Sequence, residues 1–448
     1  MDIPFHNSPI EPARNQYQFT NTLTSVAKVI GGNVASNLIA MVSSILIARW
    51  IDPYHMGIWN AAFLVTFYSP ILQLGVFNGL NRELPYLIGT GDRQRALRMA
   101  EAAHAWSWLL IGVSVPCGAF VAIGFWANGQ PERCLISIAV AVIVACSWPT
   151  LYLTTTYRTD HEFGRLAKNT TAVALMGAAL VLLVWRFHFN GLLLRISLIS
   201  ILGVLTLYYR RPLRVKPQWG TAQLVQLAKV GMPIWLVGQL FSSFISLDRL
   251  MLVKSTQVLG YYTIAIQMGA FVRQIPIAFG MVLYPQMAHR YGENHCAMDL
   301  WRISRKVAFA ASALGLVAGV CGWILLPAFV RIVLPKYVPG IRAAQWCSFL
   351  GFAMGFYQFD GIYNVIKKQY LYVFNWCIGC LIFVAVWYFL IELLHVSLAV
   401  ASSQSMLLAT FVMAMVSMFV SKRACLAHDR FAKNDIKSTT NTMPSEDI

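Results

Sequence analysis

A chain of 448 residues that is 58% hydrophobic and only 12% charged, with a mean hydropathy of +0.59, is not built to dissolve in water. Soluble domains are roughly half apolar and a quarter charged. The formal charge of +17 raises nucleic acid as a partner, but in a membrane chain the distribution of basic residues reports topology, and here they gather on one side.

Apolar stretches of the length needed to cross a bilayer, about 20 residues, fall at 23–50, 57–81, 101–127, 133–156, 167–187 and 190–209. A second set falls at 223–253, 259–288, 303–333, 341–366, 370–394 and 396–420. The fold class is therefore an all-α polytopic membrane protein of about 12 helices, with ten to fourteen open because two connections are very short. Residues 1–20 are polar, without a basic patch followed by an apolar stretch, and predict a cytoplasmic N-terminus rather than a secretory signal. Helices 1–6 make an N-lobe over 21–209, and 210–222 is a basic connector. Helices 7–12 make a C-lobe over 223–420, and 421–448, which ends in Ser, Thr, Asn and Asp, reads as a disordered tail. With both termini and every second loop on the cytoplasmic side, that side holds 25 of the 35 Lys and Arg residues. Its largest loops are expected at Arg82–Met99 and Tyr291–Arg302.

Traces of duplication link the halves. Ala27-Lys28-Val29 recurs as Ala228-Lys229-Val230, Gly57-Ile58-Trp59 pairs with Gly260-Tyr261-Tyr262, and Pro85 pairs with Pro285, at offsets of 201, 203 and 200. Six spans per repeat leave both copies in the same orientation, as parallel repeats about an axis along the membrane normal.

Two spans carry polar stripes at helical spacing. One is Asn33, Ser36, Asn37, Ala40, Ser43 and Ser44; the other is Gln239, Ser242, Ser243, Ser246 and Arg249. Close helix packing explains small polar residues equally well, but an arginine within a span has to face protein or a wet cavity. The ionisable residues read inside spans are Asp248, Arg249, Arg273 and Asp360, all in the second half. Asp248 and Arg249 are about 100° apart on a helix, which argues against a simple local ion pair. For both arginines, structural pairing with Asp248 or Asp360 competes with a role along a transport route. Pro276 predicts a kink or break after Arg273. Cys377 and Cys380 form the only CxxC, inside a span and without a companion His or second Cys pair, so no metal or cofactor is expected.

The run Ile47-Ala48-Arg49-Trp50-Ile51-Asp52-Pro53-Tyr54-His55-Met56-Gly57-Ile58-Trp59 continues into Leu72-Gln73-Leu74-Gly75-Val76-Phe77-Asn78-Gly79-Leu80-Asn81-Arg82-Glu83 and then Gly89-Thr90-Gly91-Asp92. This stretch of about 50 residues resembles the oligosaccharide flippases, or polysaccharide-export proteins, of the multidrug/oligosaccharidyl-lipid/polysaccharide (MOP) exporter superfamily. The resemblance implies a MATE-like pair of six-helix lobes in a bacterial inner membrane. It implies transfer of a polyprenyl-diphosphate-linked oligosaccharide from the cytoplasmic to the periplasmic leaflet by alternating access. A diphosphate needs fixed positive charge, which Arg249 and Arg273 would supply in the cavity, with Lys28 and Lys229 at its cytoplasmic mouth and Asn33, Asn37, Gln239 and Ser243 along its polar stripes. Asp248 and Asp360 are the carboxylates available for ion coupling. The cavity charge would be lopsided, since no Lys or Arg is read within a span of the first half. Membrane lipids, and the polysaccharide polymerase and chain-length machinery, are the other expected partners. A cation-coupled multidrug exporter shares the fold and would favour carboxylates in its cavity. A membrane-embedded sugar polymerase or glycosyltransferase would need an acid/base pair on a sizeable outer loop, and none is predicted, so the chain is not expected to be an enzyme.

Overall fold

The structure is a computed structural model that describes residues 36–441 apart from 38, 161 and 367. Lys28 and Asn33, expected on the cavity, lie outside the described residues, as does the first part of the span begun at residue 23. Among the described residues the chain is helical, without strands. The first half comprises α1 (Ile39–Trp50), α2 (Pro53–Tyr68), α3 (Val76–Gly89), α4 (Arg93–Ala127), α5 (Pro131–Thr159), α6 (Phe163–Ala179) and α7 (Val181–Tyr209). The second comprises α8 (Thr221–Leu252), α9 (Thr256–Tyr261), α10 (Thr263–Asn294), α11 (Ala297–Val333), α12 (Ile341–Cys347), α13 (Leu350–Gly355), α14 (Asp360–Val365), α15 (Gln369–Glu392) and α16 (Leu398–Asn441). Within the first half α5 packs on α4 and α7; within the second, α11 packs on α10 and α13, and α15 on α16.

Eight of these helices are each long and apolar enough to cross a bilayer, and the α2–α3 pair, bent by 55°, makes a ninth. The other passages expected from sequence are α1, described from residue 39, α6 at 17 residues, and the broken series α12–α14. The α2–α3 bend has a local cause: Leu74 and Gly75 both take left-handed backbone angles, φ 50° and 79°, which glycine adopts freely and leucine does not. In α7 the helix is interrupted at His188, φ 52°, within the expected gap between the 167–187 and 190–209 spans. The break between α12 and α13 sits against Gly315 and Gly319 of α11, where a Cβ on Gly315 would approach the Gly351 carbonyl carbon to 2.5 Å. Small residues four apart let two backbones close in this way. By contrast α10 runs through Pro276 without the expected break.

Three further expectations are corrected. The segments read as loops at Arg82–Met99 and Tyr291–Arg302 are mostly helix, reduced to Thr90–Asp92 and to His295 with Cys296. Asp92 caps α4 by accepting from the Arg95 amide at 3.1 Å, the role short polar side chains play at helix starts. Apolar stretches mark where the bilayer ends, and charged turns carry the helix past that level. Of the tail expected over 421–448, residues 421–441 continue helix α16, and 442–448 lie outside the described residues. Its first turns are built into the protein: Ala424 and Cys425 are buried in a second apolar core with Leu283, Trp301 and Phe359. Asp429 accepts from the Ala297 and Met298 amides at 2.8 and 3.0 Å, capping α11. His428 shares a 2.6 Å hydrogen bond with the Tyr291 hydroxyl.

The lobes meet through backbone. A Cβ on Gly57 would lie 1.9 Å from the Thr256 carbonyl oxygen, and one on Gly260 would lie 1.7 Å from that of Pro53. Since Thr256 and Gly260 are Pro53 and Gly57 shifted by the repeat offset of 203, each copy makes the same contact to the other, as a two-fold axis requires. Asn60 donates to Thr263, again 203 residues apart, at 2.8 Å. Nearer the basic end Gly79 and Gly231 bring α3 against α8 as closely, at 2.0 Å to the Leu227 and 1.9 Å to the Gly75 carbonyl oxygens.

Replacing Gly260 with Ala should cost about 1–3 kcal/mol, the usual penalty of overpacking, and lower the melting temperature of the detergent-solubilised protein. Gly238→Ala, where a Cβ meets nothing within 4 Å, is the neutral control. Asp429→Ala should lose about 1 kcal/mol for the missing helix cap, and limited proteolysis should then cut the end of α16 sooner.

Candidate functional site at the lobe interface

Where α8 crosses α2, a group of charged and polar side chains is closed off from solvent. Asp248 accepts from the Arg249 amide at 2.7 Å and from the Tyr262 hydroxyl at 3.0 Å. The Arg249 guanidinium lies with its Nε 3.7 Å from Asp248 Oδ1, both side chains being 8% exposed, and 4.7 Å over the Phe67 ring. The argument from helical angle against a local ion pair is therefore corrected, and of the two alternatives it is structural pairing with Asp248 that Arg249 shows. A side chain as long as arginine folds back along the helix and reaches a carboxylate rooted about 100° away. Arg249 Nε nonetheless has no hydrogen-bond partner, so the contact is electrostatic without a directed bond. Arg273 adds a second guanidinium within charge range of Asp248, Arg249, Tyr262 and Cys347. Two arginines against one aspartate leave the cluster with a net positive charge at the seam.

The rest of the α8 stripe faces the N-lobe rather than open space. Gln239 donates to the Phe67 carbonyl at 3.1 Å, and Ser246 shares a 3.0 Å hydrogen bond with Tyr68. Ser243 is half-buried and gives its carbonyl to Ser246. Lys229 is exposed, near the basic end of α8.

A separate cleft of about 500 Å³ opens between α1 and α10, with Thr170 of α6 on its rim. Its polar lining is Ser36, Asn37, Ser44, Thr170, Gln267 and Gln274, and Asn37 donates to Gln274 across it at 3.2 Å. Among the described residues no ionisable side chain lines it. Of the residues expected on a cavity, this cleft holds Asn37, whereas Arg249, Arg273, Gln239 and Ser243 are not among its lining. The cleft spans the two halves of the chain, as a route between lobes must.

Asp360 stands apart from the arginines, at the start of α14. It is 5% exposed and accepts from Ser417 of α16 at 2.7 Å, while its Oδ2 has no partner. Among the described residues it has no ion pair, so pairing of either arginine with Asp360 is excluded there. Asn375 of α15 donates to Tyr357 at 3.3 Å and also leaves an oxygen unpartnered.

The first half holds two ionisable residues within helices that the sequence reading missed. Arg195 of α7 donates to the Gly177 carbonyl of α6 at 2.9 Å. His104 of α4, 4% exposed, stacks on Tyr152 at 4.8 Å. Both lie within a few residues of a span end, where charge reads as interfacial; the signal that marks them is an apolar turn on either side.

No protein-family model matches the chain, and no curated protein sequence does. The fold is nonetheless shared with solved MATE-type structures of two facing helical lobes. An inward-facing conformation of a multidrug resistance MATE family transporter of the MOP superfamily aligns over 88% of this chain and 96% of its own, with a TM-score of 0.67 at 14% identity. The outward-facing conformation of such a transporter aligns over 91% and 96%, at 0.60 and 14%. A MOP superfamily transporter from Pyrococcus furiosus, described as having a reversed binding-pocket polarity that suggests a different function, aligns over 90% and 96%, at 0.63 and 13%. At these identities the likeness establishes the fold: this is a polytopic membrane protein with the MATE architecture.

Asp248→Asn should be strongly destabilising, by about 3–5 kcal/mol, because it leaves buried guanidinium groups without their counter-charge. The companion Arg249→Met should recover part of the loss when combined with it. Thermal unfolding of the two single variants and the double variant measures the coupling.

Proposed function

We propose that this chain moves a polyprenyl-diphosphate-linked oligosaccharide repeat from the basic-side leaflet of a bacterial inner membrane to the opposite leaflet by alternating access. The observation that carries this reading is the polarity of the lobe interface. Among the described residues the cleft between α1 and α10 offers amides and hydroxyls without a carboxylate, a lining suited to sugar hydroxyls. The same lobe interface carries the net-positive cluster of Asp248, Arg249 and half-buried Arg273, the last on α10, which forms one wall of the cleft. An organic cation would be repelled by that cluster, whereas a diphosphate would be attracted to it. Arg249 Nε, buried and without an acceptor, is the donor we assign to the diphosphate once the lobes part at Phe67.

The lobe contacts support the direction of access. Gly57 and Gly260 seal the end remote from the basic connector, and the chain superposes better on the inward-facing MATE structure than on the outward-facing one. For ion coupling, Asp360 is the better of the two carboxylates. Asp248 has both oxygens engaged, whereas Asp360 Oδ2 is free.

A multidrug exporter is the second reading, favoured by the same Asp360, since a buried carboxylate can bind a cation as well as a coupling ion, and by the likeness in fold to multidrug resistance MATE family transporters.

Deletion in the host, followed by extraction of polyprenyl-linked sugars, separates the two. Loss of surface polymer with single lipid-linked repeats held on the cytoplasmic leaflet is the expected result. Unchanged glycan pools with heightened sensitivity to cationic drugs would establish the exporter instead. In reconstituted vesicles, Asp360→Asn should abolish the response of transport to an imposed proton or sodium gradient while leaving substrate binding within about twofold.

A further inference from the structure

The N-lobe contains a cavity that neither the lobe seam nor the α1–α10 cleft involves. It lies between α4, α5 and α7, measures about 370 Å³, and is walled by Ile111, Ala145, Cys146, Pro149, Val204 and Leu205. That volume is within the range of small-ligand pockets, and the walls are apolar. Its other lining side chains cluster round His104: Ser107, Trp108, Tyr152 and Tyr208.

The His104 end is built with care for its hydrogen bonds. His104 Nδ1 stands 3.2 Å from the Val215 carbonyl of the basic connector and so donates to it. That leaves Nε2 as the acceptor for the Trp108 indole N–H, also at 3.2 Å. The imidazole is thereby a neutral, fixed shelf that holds Trp108 and the connector in place and stacks, nearly parallel, on Tyr152. Two donors at this end have no acceptor. The Tyr152 hydroxyl is enclosed and unpartnered on a residue 2% exposed, and Arg211 Nη1 is enclosed and unpartnered as well. Arg211 lies 4.0 Å over the Tyr208 ring and within charge range of both Tyr152 and His104. A buried donor left unsatisfied costs about 1–3 kcal/mol, so two beside one cavity are a strong demand for an acceptor.

The charge of the surroundings specifies that acceptor. The connector that crosses His104 also carries Arg210, Arg214 and Lys216, all exposed. The acid that faces Tyr152 is Glu101, whose backbone carbonyl accepts from Gln218. Four basic groups against one acid favour an anion. Apolar walls leading away from them, between helices whose outer surfaces are exposed and apolar at Trp108 and Leu205, favour an anion that bears a hydrocarbon chain. Basic pockets between helices on the cytoplasmic side of a membrane are where anionic headgroups dock.

We propose that this N-lobe cavity is a binding site for an anionic phospholipid of the basic-side leaflet, with its phosphate at Arg211 and the Tyr152 hydroxyl and an acyl chain along Ile111, Pro149 and Val204. The site is distinct from the lobe seam, so a lipid there acts on the connector that joins the lobes and on the packing of α4, α5 and α7, without entering the transport cleft.

The test uses the full chain in neutral detergent, with native mass spectrometry and thermal unfolding as readouts. Phosphatidylglycerol should be retained over phosphatidylcholine and should raise the melting temperature. Tyr152→Phe removes one oxygen that has no partner in the protein, so its fold should be intact. It and Arg211→Gln should each weaken phosphatidylglycerol retention about tenfold, the scale of one charge-assisted hydrogen bond, while Arg214→Gln, exposed on the same connector, should change it no more than about twofold. Equal retention of the two lipids would overturn the proposal. So would unchanged retention in both Tyr152→Phe and Arg211→Gln, which would mean that water satisfies the two donors. An equal loss in Arg214→Gln would reduce the effect to diffuse connector charge, and a full thermal shift from inorganic phosphate alone would make the ligand a small anion rather than a lipid.

Discussion

Everything in this molecule is arranged round the contact of Gly57 with Gly260. In a bilayer, helices gain little from burying apolar surface against one another, since lipid tails are as apolar as leucine; close packing and hydrogen bonds have to hold them. Two glycines at one crossing let the backbones of α2 and α9 touch, and the Asn60–Thr263 hydrogen bond lies one turn further on. Because each partner is the other's counterpart in the repeat, the contact lies on the axis relating the lobes. A seam on such an axis can part and reseal by rigid rotation of two similar bodies, with few internal contacts disturbed.

The seam and the buried charge are mechanically joined. Tyr262, two residues after Gly260, holds Asp248 through its hydroxyl. Tyr337, close before the next pass, donates to the Ile51 carbonyl at 3.1 Å, and a Cβ on Gly340 would lie 2.1 Å from the Tyr261 carbonyl oxygen. The backbone segment that meets the N-lobe therefore also carries the tyrosine that fixes the aspartate, which in turn stands beside Arg249 under Phe67 of the N-lobe. Separating the lobes removes the ring from the guanidinium and exposes a cation that is stable only while covered or paired. On the proposed cycle, an anionic headgroup replaces Phe67 as that cover.

Much of this was legible in the sequence, and the failures have physical causes. The spacing of apolar stretches gave the helical passes, and Gly57 and Gly260, matched in sequence only as a trace of duplication, are the residues the structure brings together on the axis. Helix ends were misplaced because apolarity reports the bilayer, whereas the hydrogen-bonded helix runs on: α4 begins at Arg93 and α16 continues past Ser421, its Asp429 engaged by backbone 132 residues away in sequence. A polar stripe on α8 was visible, but a stripe does not say whether it faces water or another helix. Gln239 and Ser246 turned out to satisfy Phe67 and Tyr68 of the other lobe. Helical angle argued against the Asp248–Arg249 contact because angular separation of Cα atoms ignores the reach of a long side chain.

The two lobes share an architecture and differ in chemistry, and that difference sets what each can contribute. The C-lobe has the buried charges Asp248, Arg249 and Asp360 and the half-buried Arg273, which gives it groups whose energy changes with an ion or a phosphate. In the N-lobe two ionisable residues within helices, Arg195 and His104, are engaged with carbonyls, of Gly177 and Val215. Such bonds to backbone stiffen a lobe without making it responsive to charge. On the proposed reading this asymmetry has a use: with one body sensing the ligand and the other serving as a rigid reference, a local change at Asp360 or Arg249 would have something to move against, and the glycine seam between the lobes would convert it into their relative motion.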